Sequence, residues 1–226
     1  MNSDLYALEF NPIRSHASID GMEFYDANGN EVNYLDFKHG KSVAAIDPRI
    51  KFYKTTKKKM SDFLDNMYNL LVVSKKVRDL LEKLGVPNLE YFPITMEYKG
   101  KPIEHEHMLM NILGGQHTVV DWKKSRFSTD WVDSSNPKCT FLKFAIKEEA
   151  IPQLEIFRVD ECYPLILVTQ KVAEAFTSAK LSGIKFTNIK EYHGTFFVYD
   201  ELRTKFGPDS LIFVDIKGNI IKPDRK

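Results

Sequence analysis

The sequence predicts an α+β fold, with mixed and antiparallel sheets and a few short helices packed on one face. Two observations predict it. Apolar runs of strand length, bounded by turn signals, outnumber helical patterns along the chain. One strand–helix–strand pattern also occurs twice: Leu70 to Val77 returns as Leu165 to Val172, 95 residues later. Each copy has a β-branched apolar run, a hydroxyl residue (Ser74, Thr169), a helical stretch and a glycine (Gly85, Gly183). A second apolar stretch then follows, Leu89 to Ile94 or Ile184 to Phe186. Ser74 and Thr169 stand where an N-cap hydroxyl can accept from first-turn amides. Val77, Leu80, Leu81 and Leu84 have the i, i+3, i+4, i+7 spacing of one apolar helix face, and Val172, Ala175, Phe176 and Ala179 share it. All these positions are apolar, capping or turn residues. The repeat is scaffold, and function must be sought elsewhere.

Residues 1 to 54 read as a β-rich region. Residues 55 to 226 read as an α+β region with its two units near 69–94 and 164–187, the whole being one continuous domain or two small ones. Leu5 to Phe10 is the first strand. Met22 to Tyr25 and Val32 to Phe37 flank Asn28-Gly29, a hairpin turn signal. Lys51 to Lys59, with five lysines, reads as a solvated face or linker, the alternative being a phosphate-binding patch. Met60 to Leu64 reads as a short helix. Tyr91 to Tyr98 and Ile103 to Leu113 are strands around the turn Lys99-Gly100-Lys101-Pro102, and Gly114-Gly115 opens an irregular segment that runs to Lys138. Cys139 to Ile146, Leu154 to Val159, Thr195 to Tyr199 and Leu211 to Asp215 supply further strands. A hairpin around Lys217-Gly218 precedes a tail, Lys222 to Lys226, that is expected to fray.

Composition excludes several classes. The 32 basic and 31 acidic side chains nearly cancel, unlike the basic excess of a nucleic-acid binder. With 43% hydrophobic residues a core forms without staples. Cys139 and Cys162 are too few for a disulfide framework and read as small buried hydrophobes of a reducing cytosol. Met1-Asn2-Ser3-Asp4 lacks the basic and apolar parts of a signal peptide, and no apolar run reaches the ~20 residues of a membrane helix. The expectation is a cytoplasmic protein without cofactor, membrane or nucleic-acid partner.

Candidate chemistry is sparse. In Glu104-His105-Glu106-His107, a strand would put both imidazoles on one face. A metal site needs a third and fourth ligand, and His117 is the nearest supplement. A metal-dependent enzyme on this strand is therefore the alternative reading, and no metal is the expected one. No nucleophile elbow, phosphate loop or dinucleotide fingerprint occurs. Glu148-Glu149 and Asp160-Glu161 are adjacent pairs, which read as solvated surface because catalytic carboxylates must converge on a bond from opposite sides. An enzyme is not expected. What remains is a surface for another protein. Trp131, with Asp130 and Asp133 in the polar stretch Ser128 to Asn136, satisfies no core period and suits an interface anchor. Trp122 is the second candidate contact. The other reading of Trp131 is a ring that tucks back to pin its own loop.

Several blocks resemble one family. They are Tyr91-Phe92-Pro93-Ile94, Met110-Asn111-Ile112-Leu113, Val119-Val120-Asp121-Trp122-Lys123-Lys124-Ser125, Leu154-Glu155-Ile156-Phe157-Arg158, and the second unit through Ser182-Gly183-Ile184-Lys185-Phe186. Lys58-Lys59 before Ser61-Asp62-Phe63-Leu64 resembles the lead-in. In order and spacing these blocks resemble the eleventh immunity-protein family of bacterial polymorphic toxin systems, over about residues 55 to 187. The resemblance implies a cytoplasmic protein that binds and neutralises a secreted antibacterial effector, often one with a nuclease end, encoded by the adjacent gene. It offers no catalytic residues. Asn111, Asp121, Ser125 and Arg158 match as fold-maintaining polar groups, with Asp121 suited to an Asx turn. An adaptor that carries an effector to its secretion machinery is a third reading. Unlike an immunity protein, it would be dispensable for the survival of siblings.

Overall fold

The protein's structure, a computed structural model, describes residues 4–11, 16–26, 28–43, 49–130, 138–160, 162, 165–197, 213–214 and 220–221. Chain order begins with β1 (Leu5–Phe10), β2 (Ile19–Tyr25), α1 (Leu35–Lys38), β3 (Arg49–Lys54), β4 (Phe63–Leu64) and β5 (Leu71–Ser74). Helix α2 (Lys75–Lys83) precedes β6 (Leu89–Pro93), β7 (Thr95–Tyr98), β8 (Lys101–Pro102), β9 (His107–Ile112) and β10 (Gln116–His117). Then come β11 (Arg126–Asp130), β12 (Lys138–Lys143), β13 (Ile156–Val159), β14 (Ile166–Thr169) and α3 (Gln170–Ser178). β15 (Ile184–Asn188), β16 (Thr195–Phe197), β17 (Phe213–Val214) and β18 (Ile220–Ile221) complete the described strands, and 3-10 turns occupy Glu148–Ala150 and Ile189–Glu191. The fold is α+β, mostly strands, in mixed and antiparallel sheets.

Two sheets hold the centre, in the orders β4-β5-β9-β6 and β10-β13-β14-β1-β15. Each is buried on both faces, because alternate residues point to different cores. In β5, Leu71 and Val73 enter a middle core while Val72 enters another with Leu70 and Leu109. In β14, Ile166 and Val168 join the same middle core, and Leu167 joins a third with Leu5, Ala7 and Phe157. The apolar faces of α2 and α3 seal the middle core through Val77, Leu81, Val172 and Phe176, each at most 1% exposed. Gly183, at φ +92, is required at the junction: a Cβ there would run into the Phe63 carbonyl.

Several elements differ from the sequence reading. Met60 to Leu64 holds β4 and no helix, because Phe63 and Leu64 face opposite cores and both are fully buried. The turn at Asn28-Gly29 closes only a Tyr25–Glu31 bridge. The Asp26 carboxylate accepts from the amides of Asn28 and Asn30, each at 2.8 Å, and the Asn33 side chain accepts from Leu35 N–H at 3.0 Å to start helix α1. The front of the lysine run is a strand: β3 pairs with β2 and β7, and Phe52 is fully buried. Tyr91 to Tyr98 divides at Ile94 into β6 and β7, which join different sheets. The segment after Gly114-Gly115 contains β10 and β11. Strands from the first 54 residues pair beyond that boundary, β1 with β14 and β15, and β3 with β7.

Neither Ser74 nor Thr169 caps its helix. The Ser74 hydroxyl donates to Asp62 Oδ1 at 2.9 Å and the Thr169 hydroxyl donates to Glu155. A charged acceptor just before the neighbouring strand, β4 or β13, outcompetes the N-terminal amides for the hydroxyl. Asp62 also accepts from the amide and hydroxyl of Ser182, both at 2.8 Å. Burial would raise its carboxyl, but these donors prevail and hold it below the usual aspartate value.

Candidate functional site

The segment singled out by sequence, Ser128 to Asn136, is framed by a hairpin ladder. β11 and β12 run antiparallel, with Phe127 opposite Phe141, Ser128 opposite Thr140, Thr129 opposite Cys139 and Asp130 opposite Lys138. The ladder is internal to a five-stranded sheet, because β16 flanks β12 and β17 flanks β11. The Asp130–Lys138 pair therefore brings the two ends of 131–137 side by side. Asp130 is the last residue of β11, whereas Trp131 and Asp133 lie outside the described residues.

Trp122 is a core residue and offers no surface to a partner. It is 4% exposed and stacks on Phe141, centroids 6.4 Å apart at 25°. Phe141 in turn meets Phe144 edge-on at 4.4 Å. The turn around Trp122 is fixed by polar groups. Asp121 Oδ1 accepts from Lys124 N–H at 3.2 Å, three residues on and one beyond the reach of a simple Asx turn, and its carbonyl accepts from Ser125 N–H at 2.9 Å. Ser125, fully buried, accepts from Ala145 N–H at 2.9 Å. Burial would raise the Asp121 carboxyl, but the Lys124 ammonium at 3.0 Å and the turn amides hold it low. Trp122 thus packs beneath β12 and helps to fix the ladder from inside.

The histidine pair does not form the expected strand face. β9 starts at His107, so Glu104 to Glu106 precede it. His107 N–H donates to His105 Nδ1 at 3.1 Å, which turns the first ring back on its own chain. His107 Nε2 sits 2.8 Å from the Ser61 carbonyl. Burial depresses both imidazoles, with the His107 charge adding to the effect on His105. His117 meets the edge of Phe157 at 5.7 Å. Among the described residues no three His, Cys, Asp or Glu side chains converge as a metal would require.

Asn111 and Arg158 are buried, at 0% and 3% exposure. The Asn111 amide donates to the Lys41 carbonyl at 2.8 Å and to Glu90 at 3.2 Å, tying β9 to the chain after α1. Sequence reasoning missed a groove of about 990 Å³ between residues 144–155 and the start of α3. Glu148 and Glu149, read as plain solvated surface, border it. Its two walls come from segments distant in sequence, so no local spacing marks it.

No described helix is long and apolar enough to cross a membrane. A family model described as Immunity protein family (Imm11) matches residues 12–191, most of the chain. No curated protein matches it.

Proposed function

The chain belongs to the Imm11 immunity protein family, and from that premise we propose that it binds and neutralises a cognate secreted antibacterial toxin in the cytoplasm. The toxin is a nuclease encoded by the adjacent gene. The family match over residues 12–191 carries this reading. We place the contact at the segment bridging β11 and β12, with Trp131 as anchor and Asp130 and Asp133 beside it. Three things support that placement: the ladder that brackets the segment, the packing of Trp122 beneath it, and the electrostatics of the partner. A nuclease needs a positive groove for phosphates, and an acidic, aromatic-centred segment complements one. In the same reading the two strand–helix–strand segments are copies of one unit and serve as scaffold.

The test is the complex itself. Inactivated toxin from the adjacent gene should bind the purified protein tightly, and Trp131→Ala should weaken binding by about 2 kcal/mol or more, roughly 30-fold, at an unchanged thermal midpoint. Binding curves superimposable on wild type would remove the interface from this segment. A wild-type protein that neither binds the toxin nor protects cells expressing it would overturn the function.

A further inference from the structure

The groove beside α3 has two electrostatically different walls. On one, every ammonium is occupied: Lys171 pairs with Glu155 at 3.1 Å and donates to the Leu84 carbonyl at 3.1 Å, and Lys190 pairs with Asp4 at 3.0 Å. The other wall is the 3-10 turn Glu148–Ala150, which puts two exposed carboxylates at the rim. Among the described residues neither Glu148 nor Glu149 has an ion-pair partner. The nearby Lys124 is bonded to Asp121 at 3.0 Å and attracts Glu149 and Glu148 only at longer range. The lining therefore carries four carboxylates against two ammonium groups, and the two at the 3-10 turn are the ones without an ion-pair contact, although Lys190 feels the Glu148 charge at longer range. Between the walls lie Ile146, Ile151 and Leu154, half-buried and packed against the core that contains Phe144 and Leu5.

An apolar floor ending in exposed carboxylates that make no ion-pair contact matches one kind of side chain: an aliphatic stem with a cationic head. We propose that the groove receives a segment of the toxin carrying lysine or arginine, with its stem on Ile151 and Leu154 and its cation at Glu148 and Glu149. The proposal rests on the chain being an immunity protein. It adds a second contact beyond the β11–β12 segment, since Glu148 follows the far end of β12 from residues 131–137. Two separated contacts suit an inhibitor that must not let go: the charged one speeds capture and the aromatic one slows release.

The experiment measures association of the full chain with inactivated toxin from the adjacent gene, at low and high ionic strength. Replacing both glutamates by lysine (Glu148→Lys with Glu149→Lys) should slow association about tenfold or more at low salt, and the Gln/Gln pair should slow it less. Both differences should shrink as salt screens the charges. Glu148 and Glu149 are exposed, so the thermal midpoint should stay at its wild-type value. Ile151→Ser should raise the dissociation rate several-fold. Wild-type association by the Lys/Lys variant, or faster association, would overturn the groove as a cation site. Failure of the wild-type protein to bind the toxin at all would overturn the immunity reading, which separates the two.

Discussion

Between β5 and β6 runs β9, supplied by the chain that follows; between β14 and β15 runs β1, supplied by the chain's beginning. Around that difference the two strand–helix–strand segments make matching bonds. Ser74 N–H donates to the Asp62 carbonyl at 2.8 Å and Thr169 N–H to that of Glu155 at 3.0 Å. Lys75 N–H reaches the Glu106 carbonyl at 2.9 Å and Gln170 N–H the Asp4 carbonyl at 3.1 Å. The first segment finds its middle strand within a few dozen residues, whereas the second must close a loop over most of the chain. The entropic cost of closure grows slowly with loop length, so stability tolerates this arrangement more readily than folding rate does.

The largest effect should come from removing residues 1–11. Without β1 the strands β14 and β15 lose their shared partner, and Leu5, Ala7 and Leu8, all at most 6% exposed, leave two cores. Apolar burial and the lost ladder together amount to about 5 kcal/mol or more, comparable to the whole stability of a domain. Hydrogen exchange should show β14 and β15 unprotected while β5 and β9 keep more of their protection. A truncated chain that melts like wild type would break the comparison, since β1 would then be an accessory strand.

Next in size are two buried positions on matching helix faces, Leu81 in α2 and Phe176 in α3, at 0% and 1% exposure. Leu81→Ala should cost about 2–5 kcal/mol and Phe176→Ala about 3–5 kcal/mol, both measured by urea unfolding. Phe176 should be the costlier, because its ring also lies 5.9 Å from both Phe63 and Phe186. Unchanged midpoints would mean that the helices do not seal the middle core.

What the sequence made legible was local. The helix faces around Leu81 and Phe176 and the strands around Val72 and Leu167 follow from periods of 3.6 and 2. What it hid depends on distant partners. Leu5 to Phe10 reads as a strand, but nothing in it names β14 and β15 as its neighbours. Ser74 and Thr169 read as caps because the competing acceptors, Asp62 and Glu155, lie 12 and 14 residues upstream. Trp122 and Trp131 both stand among polar residues, yet Trp122 is buried by Phe141, which only the β11–β12 ladder brings near. The groove at Glu148 was illegible for the same reason, since its second wall begins at Thr169.

The smallest effect tests the helix pair itself. Lys76, near the start of α2, donates to the Ala179 carbonyl at 2.7 Å, and Lys171, near the start of α3, donates to the Leu84 carbonyl at 3.1 Å. Each ammonium thus satisfies an orphan carbonyl and the negative end of the other helix's dipole. Lys76→Met and Lys171→Met should each cost about 0.5–1 kcal/mol, little because both side chains are exposed. Lys171 should cost more, since it also holds Glu155, a carboxylate kept below its usual value first by the Thr169 hydroxyl and then by that ammonium. The two sites lie at opposite ends of nine-residue helices, about 13 Å apart along the axis. Their costs should therefore add within about 0.5 kcal/mol in a double-mutant cycle. A larger coupling would show that loosening one end shifts the whole helix pair, and the two segments would then be a single mechanical unit.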